Sequence, residues 1–294
     1  MTMSKIIFGI DVGGTTCKCG TFSEEGELLR KEEIPTRKDE GGSLILPDIS
    51  EYIKGVLADM NMTTEDVAGI GMGLPGACLE DGTVNKCINL GWGVFNAANV
   101  LSELTGIPVK IGNDANMAAL GEFWVGGGSE YNSMVMVTIG TGVGHLPLVE
   151  GETESCNCGK KGCLEQVASA TGIVRTANRM LAESDMPSSL RSVPYISAKV
   201  IFDEAKGGDA LAIQVTEYVC RYLGKGLACA AGMVDPEVFV IGGGVSAAGE
   251  YFINLIDKYY KECVFHASRQ TKIVKAALGN DAGMYGAAKL ILGN

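Results

Sequence analysis

The chain has 294 residues at 30.8 kDa, enough for about two domains of ordinary size. Its 46% hydrophobic and 20% charged residues exclude disorder as the main state. A net charge of −11 and a pI near 4.8 argue against nucleic acid or an anionic membrane surface as the principal partner.

Residues 5–10, 17–22 and 27–34 read as three strands joined by glycine-bearing turns. Helical spacing follows at Ile49, Ile53, Val56, Leu57 and Met60, which leaves one face apolar. Residues 67–74 form a buried strand ending at Pro75-Gly76, and 108–111 another before Gly112-Asn113-Asp114. A helix with Asp114 at or near its N-cap runs to about Val125, where Gly126-Gly127-Gly128 stops it. At Ser133 the pattern restarts: SMVMVTIGTGVG echoes SKIIFGIDVGGTT, a strand entering a Gly/Thr turn. Helices over 170–182, 210–234, 251–265 and 284–292 and a strand over 238–241 follow. Strands alternating with helices argue for the α/β class, and the echo suggests a duplicated domain with a cleft between the halves. The expected division is a first domain over 1–113, with the closing helix 283–294 packed on it, and a larger second domain over 114–282.

The longest fully apolar run, residues 226–234, is far short of the roughly 20 residues that span a bilayer. Ten cysteines without a secretory signal fit a reducing compartment, and the expected location is the cytoplasm.

The chemistry concentrates in a few segments. At Asp11-Val-Gly-Gly-Thr-Thr-Cys-Lys18, Gly13 and Gly14 let backbone N–H groups approach a phosphate, and Thr15 and Thr16 add hydroxyl donors. Asp11 can hold a phosphate-bound Mg²⁺ through water, and Lys18 adds a positive charge. The bland alternative is a tight hairpin whose glycines serve geometry alone. Thr138-Ile-Gly140-Thr141-Gly142 offers a second turn of the same kind, and neither turn is a P-loop. Gly242-Gly243-Gly244 either admits an adenine ring against backbone or simply turns strand into helix. Cys156-Asn-Cys158-Gly-Lys-Lys-Gly-Cys163, with His145 upstream, supplies three thiolates and an imidazole, the donor set of a structural zinc; inert clustered thiols are the alternative. Asp114 is either a helix cap or a general base.

In chain order, GIDVGGTTCK, GLPG, NLGW, GNDANMAALGE, TIGTGVG, CNCGKKGCLEQVAS and VIGGG together resemble the ROK family of sugar kinases and sugar-responsive repressors, above all its bacterial glucokinase branch. The resemblance covers nearly the whole chain. It implies the actin-like, ribonuclease H-like α/β fold, a structural Zn²⁺ on His145, Cys156, Cys158 and Cys163, and a homodimer. It further implies ATP-dependent phosphorylation of a hexose 6-hydroxyl, glucose first among the sugars, with fructose, allose and N-acetylmannosamine as alternatives. Polyphosphate is an alternative donor. A repressor is disfavoured by the acidity and by the ten residues ahead of Asp11, and a non-catalytic sugar binder is the third option. Carried over residue by residue, Asp114 becomes the base, and Gly76, Asn89, Asn113, His145 and Glu165 contact the sugar. ATP lies across Gly13–Thr16 and Thr138–Gly142, with its adenosine near Gly243 and Gly244 and Mg²⁺ on its phosphates.

One segment departs from the family. The family carries Glu-x-Gly-His, with the Glu on the sugar, where this chain reads Thr141-Gly-Val-Gly-His145. Two strands with their turns need roughly twenty residues, and GVGHLPLV leaves room for about one. The expectation is that the protein carries a loop after Gly144 that the written sequence omits.

Overall fold

A computed structural model describes residues 5–293. The chain forms two compact α/β units. One ends at Ser129 and resumes at Leu278, and the other runs from Glu130 to Ala277.

The first unit is built on strand β1 (Ile6–Val12), buried along its length except at Asp11. It pairs antiparallel with β2 (Thr16–Ser23), which pairs with β3 (Leu28–Pro35). On its other edge lie β4 (Val67–Leu74), parallel, and beyond it the last strand, Val109–Asn113. The alternating burial of β3 marks it as the edge, one face wet, whereas β1 and β4 are apolar runs covered on both faces. A small antiparallel sheet, β5 (Ala77–Cys78), β6 (Thr83–Cys87) and β7 (Trp92–Asn96), stands between β4 and that last strand, β8, in sequence. These short strands show no sustained alternation, and the sequence reading passes over them, as it does the helix Ala97–Thr105.

Helix Ile45–Asp59 buries Ile49, Ile53, Val56 and Leu57, the spacing expected, against Phe8, Ile10, Ile70 and Met72. The other face of the sheet takes helices Asp114–Val125 and Ala282–Leu292, which pack closely on one another. Their crossing is glycine-lined: a methyl at Gly121 or Gly286 would overlap the facing backbone. For that reason the unit boundary falls after Ser129, not at 113/114, and Asp114–Val125 belongs to the first unit.

The second unit has a three-stranded parallel sheet, β9 (Met134–Thr138), β10 (Val238–Gly242) and β11 (Lys272–Lys275), in the order β11-β10-β9. Its core lies under helices Ala170–Glu183, Ala198–Lys206, Ala210–Val234 and Glu250–Cys263. β9 is the counterpart of β1, yet no strand pairs with its outer edge among the described residues. The residues after Gly144 form no returning strand, only the isolated bridge Pro147–Cys163. The sequence runs directly from Gly144 to His145 and holds no counterpart of the β2–β3 hairpin there. No helix among the described residues is long and apolar enough to cross a membrane.

Candidate functional site

In the first unit the parallel strands end in step. Asp11 lies opposite Gly73, and Leu74 opposite Asn113, so Asp11, the Pro75-Gly76 turn and Asn113-Asp114 share the carboxyl end of the sheet, the usual ligand edge of α/β folds. Asn113, not Asp114, caps the following helix. Its Oδ1 accepts from the amides of Ala115 (3.1 Å) and Asn116 (3.3 Å), while its Nδ2 donates to Gly76 O at 3.0 Å. Asp114 therefore occupies the first helical position, relieved of the cap that the sequence offered as its bland role. The Ala115 amide also reaches Asp114 Oδ1 at 2.8 Å.

Asp11 is mostly buried. Loss of water, and then the neighbouring Asp114 carboxylate, push its pKa from 3.8 to about 6; Lys18 opposes the shift. The Lys18 ammonium does not stand free for a phosphate: it donates to Asn280 O at 2.7 Å and pairs with Asp281 at 3.5 Å. The Gly13–Thr16 turn is closed by Gly13 N–H to Thr16 O at 3.0 Å, and Thr36 Oγ1 donates to Gly13 O at 2.8 Å. No heavy atom lies within 4 Å of where a Gly14 side chain would begin, so that backbone is open to a ligand.

Cys87, read from sequence as a small hydrophobe, donates its S–H to Pro75 O at 3.0 Å and ties the β6–β7 hairpin to this turn. Asn89 is exposed in the loop joining those strands.

In the second unit Thr138 lies opposite Gly242, so the other two glycine turns also emerge side by side from parallel strands. Ile139 N–H donates to Gly242 O (2.9 Å) and Val245 N–H to Ile139 O (3.1 Å). Gly243 has φ of +81°, and a side chain there would strike the backbone of Ile139. Beside them opens a cavity of about 550 Å³, lined by Gly140, Thr141, Ser197, Phe202, Gly244 and Ala248. Sequence reasoning reached the glycines but not Ser197 or Phe202, which come from a helix it did not identify. Glu165 opens a short helix, and its carboxylate lies against the second turn, accepting from Val143 N–H at 3.3 Å.

His145, Cys156, Cys158 and Cys163 converge, their ligand atoms all within 4.8 Å of one another. Cys156 Sγ is 3.4 Å from His145 Nδ1, and Cys158 Sγ is 3.5 Å from Cys163 Sγ. Tetrahedral zinc with bonds of ~2.0–2.3 Å spaces its ligands by roughly 3.5–3.8 Å. The residues fit that ion. The loop is braced from outside: Cys163 N–H donates to Gln166 Oε1, Gln166 Nε2 to Glu154 O, and Arg175 forks onto Glu152 at 2.7 Å. That guanidinium holds the Glu152 carboxyl down at about 2.

The sequence profile of the ROK family matches residues 7–151 and 143–294. The chain belongs to the ROK family. A glucokinase of Halalkalibacterium halodurans is 37% identical, the alignment covering 96% of this chain and 94% of the relative. The ROK hexokinase of Thermus thermophilus superposes with a TM-score of 0.79 at 28% identity over 96% of each chain. A ROK glucokinase of Streptomyces griseus, solved with glucose and AMPPNP, gives 0.72 at 29% identity over 97% and 98% of the two chains. The fold is thus the actin-like α/β fold of ROK sugar kinases. The comparison also bears on the lost hairpin. The Halalkalibacterium alignment runs over 309 positions although this chain has only 294 residues, and the two profile matches overlap at 143–151, the place of the departure.

Proposed function

We propose that this ROK protein transfers the γ-phosphoryl group of ATP to the 6-hydroxyl of a hexose, glucose first. The observation that carries the reading is the row at the carboxyl end of the first sheet: Asp11, Gly76, Asn113 and an Asp114 freed from capping. Phosphoryl transfer needs positioning and charge neutralisation more than covalent chemistry, and this row supplies the acceptor's side of it. Asp114 takes the hydroxyl proton as the oxygen attacks phosphorus in line, and ADP leaves. Asn89 and Asn113 hold other sugar hydroxyls, and the family resemblance gives His145 and Glu165 a sugar-binding role as well. The Gly13–Thr16 and Thr138–Gly142 turns offer N–H and O–H donors to the phosphates, and the cavity beside Gly244 takes the adenosine.

Magnesium bound with ATP would supply charge neutralisation at the phosphates, with Asp11 holding its water shell. Zinc on His145 Nδ1, Cys156, Cys158 and Cys163 would be structural; it leaves the other ring nitrogen of His145 to face the sugar. Lys18 acts by tying the start of the closing helix to the β1–β2 hairpin, a role its bonds to Asn280 and Asp281 support better than a phosphate contact. A cytoplasmic homodimer is the form the family resemblance supports.

An ADP-release assay over glucose, fructose, allose and N-acetylmannosamine, with ATP and polyphosphate as donors, tests the reading. Turnover that depends on one of these sugars is expected. No sugar-dependent ADP release from zinc-loaded protein with Mg²⁺ would refute it.

A further inference from the structure

The β6–β7 hairpin holds Asn89 at its tip, because Cys87 pairs with Trp92 and only Ile88 to Gly91 lie between. Two clamps grip its base. One is the bond from Cys87 to Pro75 O, which joins the hairpin to the Gly76–Asn113 group. The other comes from a segment outside that group. Residues Glu40, Gly41 and Gly42 all stand in the left-handed region, at φ of 53°, 68° and 72°. This turn is set directly against the far side of the loop. The buried Trp92 indole N–H donates to Gly42 O at 3.0 Å. Gly41 and Gly91 meet backbone to backbone, so that a side chain begun at Gly91 would lie 3.1 Å from Gly41 Cα. One begun at Gly42 would strike Leu90 O and come within 2.7 Å of Trp92 Nε1.

We propose that the Glu40–Gly42 turn and Trp92 are positioning residues that fix the acceptor-binding hairpin, and so set affinity for the sugar without taking part in phosphoryl transfer. The proposal rests on Asn89 touching the sugar, as in the reading above. A left-handed run containing a glutamate is strained at Glu40, and it persists where surrounding contacts impose it. Those contacts here are with Leu90, Gly91 and Trp92, the three residues that follow Asn89. The two segments meet through the Gly41–Gly91 backbone approach and the Trp92 indole bond to Gly42 O, and Leu90 and Trp92 share one buried cluster with Ile45 and Leu46 just after the turn. The indole is T-stacked on Phe95 at 5.2 Å, so a phenylalanine at 92 keeps ring packing while removing the one donor.

The test compares Trp92→Phe, Gly42→Ala and Asn89→Ala with the parent chain for sugar KM, ATP KM, kcat and Tm. Trp92→Phe and Gly42→Ala are expected to raise sugar KM roughly 3- to 10-fold, the weight of one hydrogen bond, with ATP KM and kcat within about twofold. A direct readout comes from Trp124→Phe, which leaves Trp92 as the sole tryptophan of the chain's two. Its fluorescence should shift on titration with sugar, at the concentration that half-saturates the kinetics. If Asn89→Ala raises sugar KM while Trp92→Phe and Gly42→Ala do not, the clamp is overturned and the acceptor reading stands. If kcat and ATP KM worsen together with sugar KM and Tm, the turn is merely structural, and the proposal falls. Should Asn89→Ala leave sugar KM unchanged, the hairpin is not an acceptor site and the reading beneath the proposal fails.

Discussion

Asp114 and Asp11 differ in environment more than in chemistry. Asp114 heads a helix whose orphan amides its neighbour satisfies, so its carboxylate can accept a proton from a bound hydroxyl. Asp114→Asn is expected to lower kcat by about 10²–10⁴-fold, with the sugar dissociation constant nearly unchanged by equilibrium titration. Asp11 is held near pH 6 by burial and by Asp114. Since this raises a carboxyl above its ordinary value, ionisation costs the folded state stability as pH climbs from 3.8 to about 6. Two consequences are measurable. The Mg²⁺ concentration giving half-maximal rate should rise as pH falls below about 6, approaching tenfold per unit. Asp11→Asn should raise Tm at neutral pH while weakening the Mg²⁺ dependence; an unchanged Tm and Mg²⁺ requirement would remove Asp11 from the phosphate site.

At the level of elements, the cysteine loop and the missing hairpin make opposite demands on neighbouring sequence. Eight residues from Cys156 to Cys163 fold into a ligand cage because glycines permit the reversals and Arg175 and Gln166 hold the flanks. Removing the metal with a chelator, or making Cys158→Ser, should lower Tm by roughly 5–10 °C, the shift expected for about 3 kcal/mol in a unit of this size. Metal analysis should find zinc in the parent chain and not in the variant. The opposite case is β9. In the first unit, β2 and β3 cover the edge of β1. In the second, β9 is only half-buried and its outer edge has no strand beside it among the described residues. The glutamate of Glu-x-Gly-His is lost with that hairpin. Inserting the corresponding relative's hairpin between Gly144 and His145 is therefore expected to raise Tm and lower sugar KM, several-fold at least for a restored charged hydrogen bond. An insertion that changes neither would show that the shortened edge is already satisfied.

Across the whole molecule, the first unit is completed by the other end of the chain. The closing helix returns to the sheet of β1, β2 and β4 and crosses Asp114–Val125 through Gly121 and Gly286. A side chain at that crossing must separate two helices, so Gly286→Val is expected to cost about 1–3 kcal/mol or more, seen as a lower denaturation midpoint. How much of this was legible follows from the range of each interaction. Strands β1, β4 and β10, the three glycine turns and the clustering of His145 with the three cysteines are written in short stretches of chain, since apolar runs, backbone approach and short-loop reversals are local properties. The shortened segment after the second turn is legible too, since two strands with their turns need more residues than GVGHLPLV supplies. The sequence offers Asn113 and Asp114 side by side as caps; Asn113 takes the role, and its bond to Gly76 O, 37 positions earlier, is the long-range contact that no local pattern shows. The same holds for Lys18, claimed by Asn280 and Asp281 across the chain, for the unit boundary, and for the small sheet whose loop meets the Glu40–Gly42 turn. Local chemistry chose the parts; contacts between residues far apart in the chain, invisible to any window of sequence, chose what each part faces.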